Sequence, residues 1–140
     1  MTEAMDTDPI EIPSDIRDAI VRHAIAGLPN EACGVLAGSD GQIVHFFPMT
    51  NADESPLTYR LEATEQLRVW NEIDDKGWEV RGIVHSHTHT EAYPSETDVR
   101  QAFLPDAWYV LVSLLDRERP AIRGFSIRDG DVLEREVVIR

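Results

Sequence analysis

One cysteine, Cys33, is all that 140 residues hold. No intramolecular disulfide can form, and a cysteine-built zinc finger is excluded. A lone thiol suits a reducing cytoplasm, which is the expected location. Cationic residues are scarce too. Lys+Arg is 13 against Asp+Glu at 26, a formal net charge of −13. So acidic a chain repels phosphates, and no basic cluster stands apart, so nucleic acid is not expected as a partner. The acidity reads first as solubility and second as steering toward a basic protein surface. Long apolar runs are absent as well. None approaches the roughly 20 residues that span a bilayer, so no membrane partner is expected. The first nine residues, Met1 to Pro9, lack the basic-then-apolar pattern of a signal peptide and are expected to be a disordered extension.

Hydrophobic content of 42% and charged content of 28% suit one globular domain with a real core, here residues 10–140. Ile10 and Ile12 suggest a short extended segment. Pro13-Ser14-Asp15 starts a helix with Ser14 as its cap, and Ile16, Ala19, Ile20, His23 and Ala24 share one face. His23 reads as a helix-surface or partly packed residue. Cys33–Gly38 is a buried strand, Ser39-Asp40-Gly41 a turn, and Gln42–Pro48 its hairpin partner. Thr58–Leu61 suggests a short strand. A helix from Ala63 or Thr64 to about Lys76 turns Leu67, Val69, Trp70 and Ile73 inward, and Gly77 stops it. Trp78–Val84 is a strand, Pro94-Ser95 opens a helix to about Leu104, and Trp108–Leu115 is the most apolar and hence central strand. Ile122–Arg128 and Val132–Ile139 close the chain around Asp129-Gly130. The expected architecture is α/β, a mixed central sheet flanked by about three helices.

The chemistry concentrates after Val84. Three of the five histidines fall within five residues, at 85, 87 and 89. Residues two apart on a strand point the same way, so His85 and His87 can reach one ion together. After seven intervening residues Ser95-Glu-Thr-Asp98 has the form of a capping box, in which both side chains satisfy free helix N–H groups. Such a helix start can also carry Asp98 back to the histidines. Two imidazoles, a carboxylate and an open fourth position suit catalytic zinc, one ion, better than calcium or magnesium. His89 is expected to have left the strand and to stand outside the ligand set. Two rival motifs overlap this stretch. A cupin would need an all-β chain and a glycine near 98, and a zinc deaminase would need Pro-Cys-x-x-Cys. Neither is present.

Glu31-Ala-Cys-Gly-Val-Leu-Ala-Gly38, taken with His85-Ser-His87 and Ser95-Glu-Thr-Asp98, resembles the JAMM/MPN+ (Mov34/MPN/PAD-1) metallopeptidase family. The resemblance spans about residues 10–140. It implies a cytidine-deaminase-like fold and zinc held by His85, His87 and Asp98. It implies Glu31 as general base and acid, and Ser95 as donor to the oxyanion. Asn30–Gly38, Pro48–Ala52, Tyr59–Leu61, Glu65–Leu67 and Thr90–Ser95 resemble one bacterial branch more closely. Members of that branch release cysteine from the C-terminus of a ubiquitin-like sulfur-carrier protein ending in Gly-Gly. The resemblance therefore implies a carrier protein as substrate and a part in cysteine biosynthesis. A deconjugating isopeptidase and a non-catalytic MPN scaffold are the alternatives, and a homodimer is compatible with either.

Releasing one C-terminal residue leaves an α-carboxylate beside the metal. Arginine is its natural two-pronged partner. Arg60 is the first candidate and Arg100, past the start of the ligand helix, the second. Tyr93 is a further substrate-groove candidate. Cys33, two residues from Glu31, is expected to be a buried small residue rather than a nucleophile.

Overall fold

The computed structural model describes residues 8–140. Residues 1–7, most of the expected extension, lie outside the described residues. Asp8 is anchored, its carbonyl accepting from the Arg135 guanidinium. In chain order the elements are β1 (Ile10–Ile12), α1 (Ser14–Ala26), β2 (Cys33–Ser39), β3 (Gln42–Met49), α2 (Ala63–Asp75), β4 (Glu79–His87), α3 (Glu96–Gln101), β5 (Trp108–Ser113), β6 (Ala121–Arg128), β7 (Asp131–Arg135) and β8 (Val137–Ile139).

Six strands form one mixed sheet in the order β3-β2-β4-β5-β6-β7, with only β4 and β5 parallel. A parallel neighbour needs a crossover, and α3 lies within it. The hairpins β2–β3 and β6–β7 turn on Asp40-Gly41 and Asp129-Gly130. All four residues have positive φ (53°, 79°, 51° and 84°), as a tight turn matched to strand twist requires. The short strands β1 and β8 pair in parallel as a separate ribbon.

Each face of the sheet carries its own core. Ile10, Ile12, Ile16, Ile20, Leu36, Val84, Val110 and Val112 belong to the cluster under α1. Val35, Ile83, Leu111, Phe125, Val69 and Ile73 belong to the cluster under α2. Period-2 alternation sorts neighbours such as Val35 and Leu36, or Ile83 and Val84, to opposite sides. His85 and His87 follow Ile83 in that alternation, so they share the α2 face.

The expected α/β architecture holds, with local differences. Strand β4 continues three residues beyond Val84, through both histidines. Leu67 is 64% exposed, because it lies off the stripe that Val69 and Ile73 bury at i, i+4 spacing. The cap of α1 is Pro13, with no side-chain bond, and Ser14 is already helical. Thr58–Leu61 amounts to one bridge, Asn51 with Leu61. Helix α3 stops at Gln101, since the Leu104 N–H donates to the Tyr109 hydroxyl (2.9 Å) instead of to a helical carbonyl. The closing segment breaks at Glu136, where the chain leaves β7 to pair with β1.

Candidate metal centre

The register of β2 against β4 assembles the site. Cys33 pairs with His85 in antiparallel register. One step past the strand the ladder continues, with the Ser86 N–H donating to the Ala32 carbonyl at 2.9 Å. The Ala32 N–H returns a bond to Ser86 Oγ at 2.8 Å. Two residues back from Cys33 is Glu31, and two on from His85 is His87. Directly opposed residues share a face and stand close. Antiparallel pairing thus carries Glu31 to His87 across 56 positions of sequence.

The third partner arrives from α3. Ser95 caps this helix, its Oγ accepting from the Asp98 N–H (3.0 Å), while Asp98 Oδ2 accepts from the Ser95 N–H (2.9 Å). The same Oδ2 lies 3.1 Å from His85 Nε2 and 3.0 Å from His87 Nε2, and the two nitrogens are 3.3 Å apart. Two donors held tetrahedrally at roughly 2.0–2.1 Å from one ion lie about 3.3–3.4 Å from each other. The triangle is close to that size. All three residues are buried.

Protonation supports the fit. His87 Nδ1 is 2.8 Å from the Glu91 carbonyl, which can only accept, so Nδ1 carries the hydrogen. The neutral ring then aims a bare Nε2 lone pair at Asp98 Oδ2. Two lone pairs that face each other need a cation between them. Burial pushes His85 below its ordinary value, which keeps it a neutral ligand. Burial also works against ionised Asp98, but in the metal-free protein donation from the His85 ring, from protonated His87 and from the Ser95 N–H outweighs it and holds the carboxyl well below the usual range. The donor set fits one divalent ion.

Glu31 stands beside this group, 5% exposed, with Oε1 buried and without a hydrogen-bond partner. Burial pushes its carboxyl up to about 8, against the opposing pull of His87. A carboxyl poised near neutrality, with an unpaired oxygen, can take a proton and return it.

Tyr59 also belongs to the surroundings of the donor group, though nothing in its sequence position marks it for that role. Its ring stacks on His85 at 4.3 Å and 18°, closing one side of the metal group. No spacing signal points to it, because the contact joins distant segments. Cys33 is buried, its thiol donating to the Thr50 carbonyl (3.5 Å) and pushed by burial up to about 12. Such a thiol is no nucleophile. His23 is half-buried and bonds through Nε2 to the carbonyls of Cys33 (2.9 Å) and Met49 (3.2 Å). His89 is exposed, 2.7 Å from Thr88 Oγ1, and is not a member of the donor group.

The remaining candidates hold other partners. Arg60, with a side chain 64% exposed, pairs with Asp53 at 3.2 Å. Arg100 bonds the Thr97 hydroxyl at 3.2 Å. Tyr93 meets Phe125 edge-on at 5.4 Å, with the Arg123 guanidinium 5.7 Å from its ring centre. Among the described residues no helix is long and apolar enough to cross a membrane.

A His-His-Asp group with a buried carboxyl beside it, at the end of a mixed sheet, is the arrangement of a metal-dependent hydrolase. The family model for prokaryotic homologs of the JAB domain matches residues 13–127, and the chain belongs to that family of metallopeptidases. The chain is 50% identical over 128 residues to the CysO-cysteine peptidase of Mycobacterium tuberculosis, covering 90% of this chain and 88% of that one. It is 34% identical over 116 residues to a desampylase of Haloferax volcanii, covering 78% and 84%. The solution structure of a protein from Desulfitobacterium hafniense superimposes with a TM-score of 0.84 at 32% identity, covering 93% of this chain and 92% of that one.

Replacing Asp98 by Asn keeps an oxygen for the Ser95 N–H but removes the anionic donor. We expect Asp98→Asn to fold and to lose metal affinity by more than the roughly 10–100-fold typical of outer-shell changes, read by elemental analysis after dialysis. The pH dependence has a definite sign. The pKa of Glu31 is higher folded than unfolded, so its contribution is complete below about 4.5 and is lost as pH climbs through about 8. Metal-free protein should therefore lose stability between about pH 5 and about pH 8. His87 is also raised and adds to the same trend, while His85, lowered by burial, opposes it up to its unfolded value. The part due to Glu31 is the difference between wild type and Glu31→Gln, and equal slopes in denaturant titrations would refute it.

Proposed function

We propose that this metallopeptidase binds one zinc ion and hydrolyses the C-terminal peptide bond of a ubiquitin-like sulfur-carrier protein, releasing cysteine after a Gly-Gly terminus. The observation that carries the chemistry is the buried, unpaired Glu31 carboxyl beside the three converging donors. The substrate reading is supported by the 50% identity to the CysO-cysteine peptidase over 90% of the chain. The same likeness supports a part in cysteine biosynthesis, and we propose a cytoplasmic setting from the single cysteine of the chain.

His85, His87 and Asp98 would hold the ion. When bound, zinc supplies Lewis acidity that makes water a competent nucleophile near neutral pH. Glu31 accepts the proton of the attacking water through its carboxylate. It then delivers a proton to the departing amine, a cycle that suits a carboxyl whose burial lifts it toward neutrality. Ser95 accepts from the Asp98 N–H through its oxygen, so its hydroxyl hydrogen is free to donate to the carbonyl oxygen as negative charge develops. Tyr59 packs on His85 and excludes water from that side.

The departing residue carries a free α-carboxylate, for which Arg60 is our first candidate. It directly follows Tyr59, and its guanidinium engages Asp53 through Nε. Arg100, on α3 after Asp98, and Tyr93, in the loop before α3, are the further substrate-contacting candidates. A second reading, cleavage of a carrier from a protein conjugate, is favoured by the 34% identity to a desampylase.

Incubating the protein with a carrier ending in Gly-Gly-Cys should remove one cysteine mass, read by intact-mass spectrometry. Glu31→Gln should keep its metal and lose roughly 10²–10⁴-fold in kcat. Full turnover with metal bound would end the mechanism, and cleavage of conjugates alone would favour the second reading. For Arg60, kcat/KM of Arg60→Ala should fall on a free C-terminus and hold on an amidated one. An equal fall on both removes Arg60 from the carboxylate site.

A further inference from the structure

Glu31 raises a problem of aim. Its side chain has no hydrogen-bond partner on Oε1, so no side-chain bond there fixes where the carboxyl points. What holds Glu31 is its backbone, and both of its peptide groups are held by one loop. The Glu31 N–H donates to the Ser55 carbonyl at 2.9 Å. The Glu31 carbonyl accepts from Asn51 Nδ2 at 3.0 Å.

Asn51 is buried, and its side chain is used to capacity. Nδ2 also donates to the Thr58 carbonyl (2.9 Å), with a longer approach to the Ser55 carbonyl (3.5 Å). Oδ1 accepts from the N–H groups of Asp53 (2.9 Å) and Arg60 (3.1 Å). A primary amide has two hydrogens and two lone pairs, and here each has a backbone partner. Thr58 and Arg60 flank Tyr59, the ring that stacks on His85. One side chain therefore ties the peptide of Glu31 to the turn that presents Tyr59. An ordinary turn asparagine bonds its own neighbours two residues on. Asn51 does that through Oδ1 and, with its other end, reaches back 20 residues to Glu31.

We propose that Asn51 is a positioning residue, fixing Glu31 against the metal group and locking it in register with the Tyr59 turn. It touches neither substrate nor metal and acts through the Glu31 backbone. The turnover arm below rests on the peptidase reading, while the exchange arm needs no substrate, so the two can fail separately.

Two variants separate the ends of the amide. Asn51→Asp keeps the size and both acceptors, so the Asp53 and Arg60 N–H bonds survive, but it cannot donate to Glu31 and Thr58. Asn51→Ala removes everything. The first readout is amide hydrogen exchange by NMR. In both variants the Glu31 amide should exchange at least about 10-fold faster. The Ala32 and Ser86 amides, which bond each other's residues across β2 and β4, should stay protected. A residue that served stability alone would speed all three amides together. The second readout is kcat per bound metal ion, expected to fall roughly 10–100-fold with KM little changed, as displacement of a positioned group does. If Asn51→Ala does not fold, Asn51→Asp carries the test. An unchanged Glu31 amide, a uniform loss of protection, or a turnover loss that only follows metal content would overturn the proposal.

Discussion

The antiparallel pairing of β2 with β4 in the register Cys33 to His85 is the constraint on which the site depends. A slip of one residue would turn every side chain of one strand to the opposite face. Glu31 would then leave the face of His87, and the histidines would exchange sides with Val84 and Ser86. Both faces are packed, so the register is enforced from above and below. Val35 and Ile83 are buried under α2, and Leu36 and Val84 under α1. Core packing of ordinary aliphatic residues thereby sets the placement of the buried Glu31 carboxyl.

Asp98 carries two duties at once. Its Oδ2 accepts the Ser95 N–H and points at both imidazoles. Local helix energetics and metal binding therefore pull the carboxylate the same way. The cap orients the ligand before any ion arrives, which lowers the ordering cost of binding. The parallel step from β4 to β5 makes this arrangement available, since the crossover returns the chain past the end of the strand that bears the histidines.

Much of the donor group was legible in the sequence because each part obeys a short-range rule. His85 and His87 follow the strand period, and Ser95 with Asp98 follows the rule for starting a helix. The α/β order was legible from alternating patterns, and the tight turns from Asp40-Gly41 and Asp129-Gly130. What failed or stayed hidden depends on distant contacts. Leu67 belongs to an apolar helix pattern, but the stripe that meets the sheet runs through Val69 and Ile73. Tyr59 and Asn51 lie in segments that carry the family resemblance, but no local rule assigns them a role, since their contacts form where the loop before α2 meets β4 and the segment before β2. The split of the last segment into β7 and β8 follows from pairing with residues more than a hundred positions earlier.

That last pairing bears on how the molecule is made. Strand β8 lies against β1, and bonds between Arg140 and Ile12, and between Ser14 and Arg140, stitch the two segments together. On the ribosome, β1 emerges long before its partner exists. Ile10 and Ile12, fully buried in the finished fold, have no strand to lie against until β8 is translated. The residues of the donor group and Glu31, from 31 to 98, all precede β8 in the order of synthesis. The donor set is thus translated before the strand that completes the opposite face.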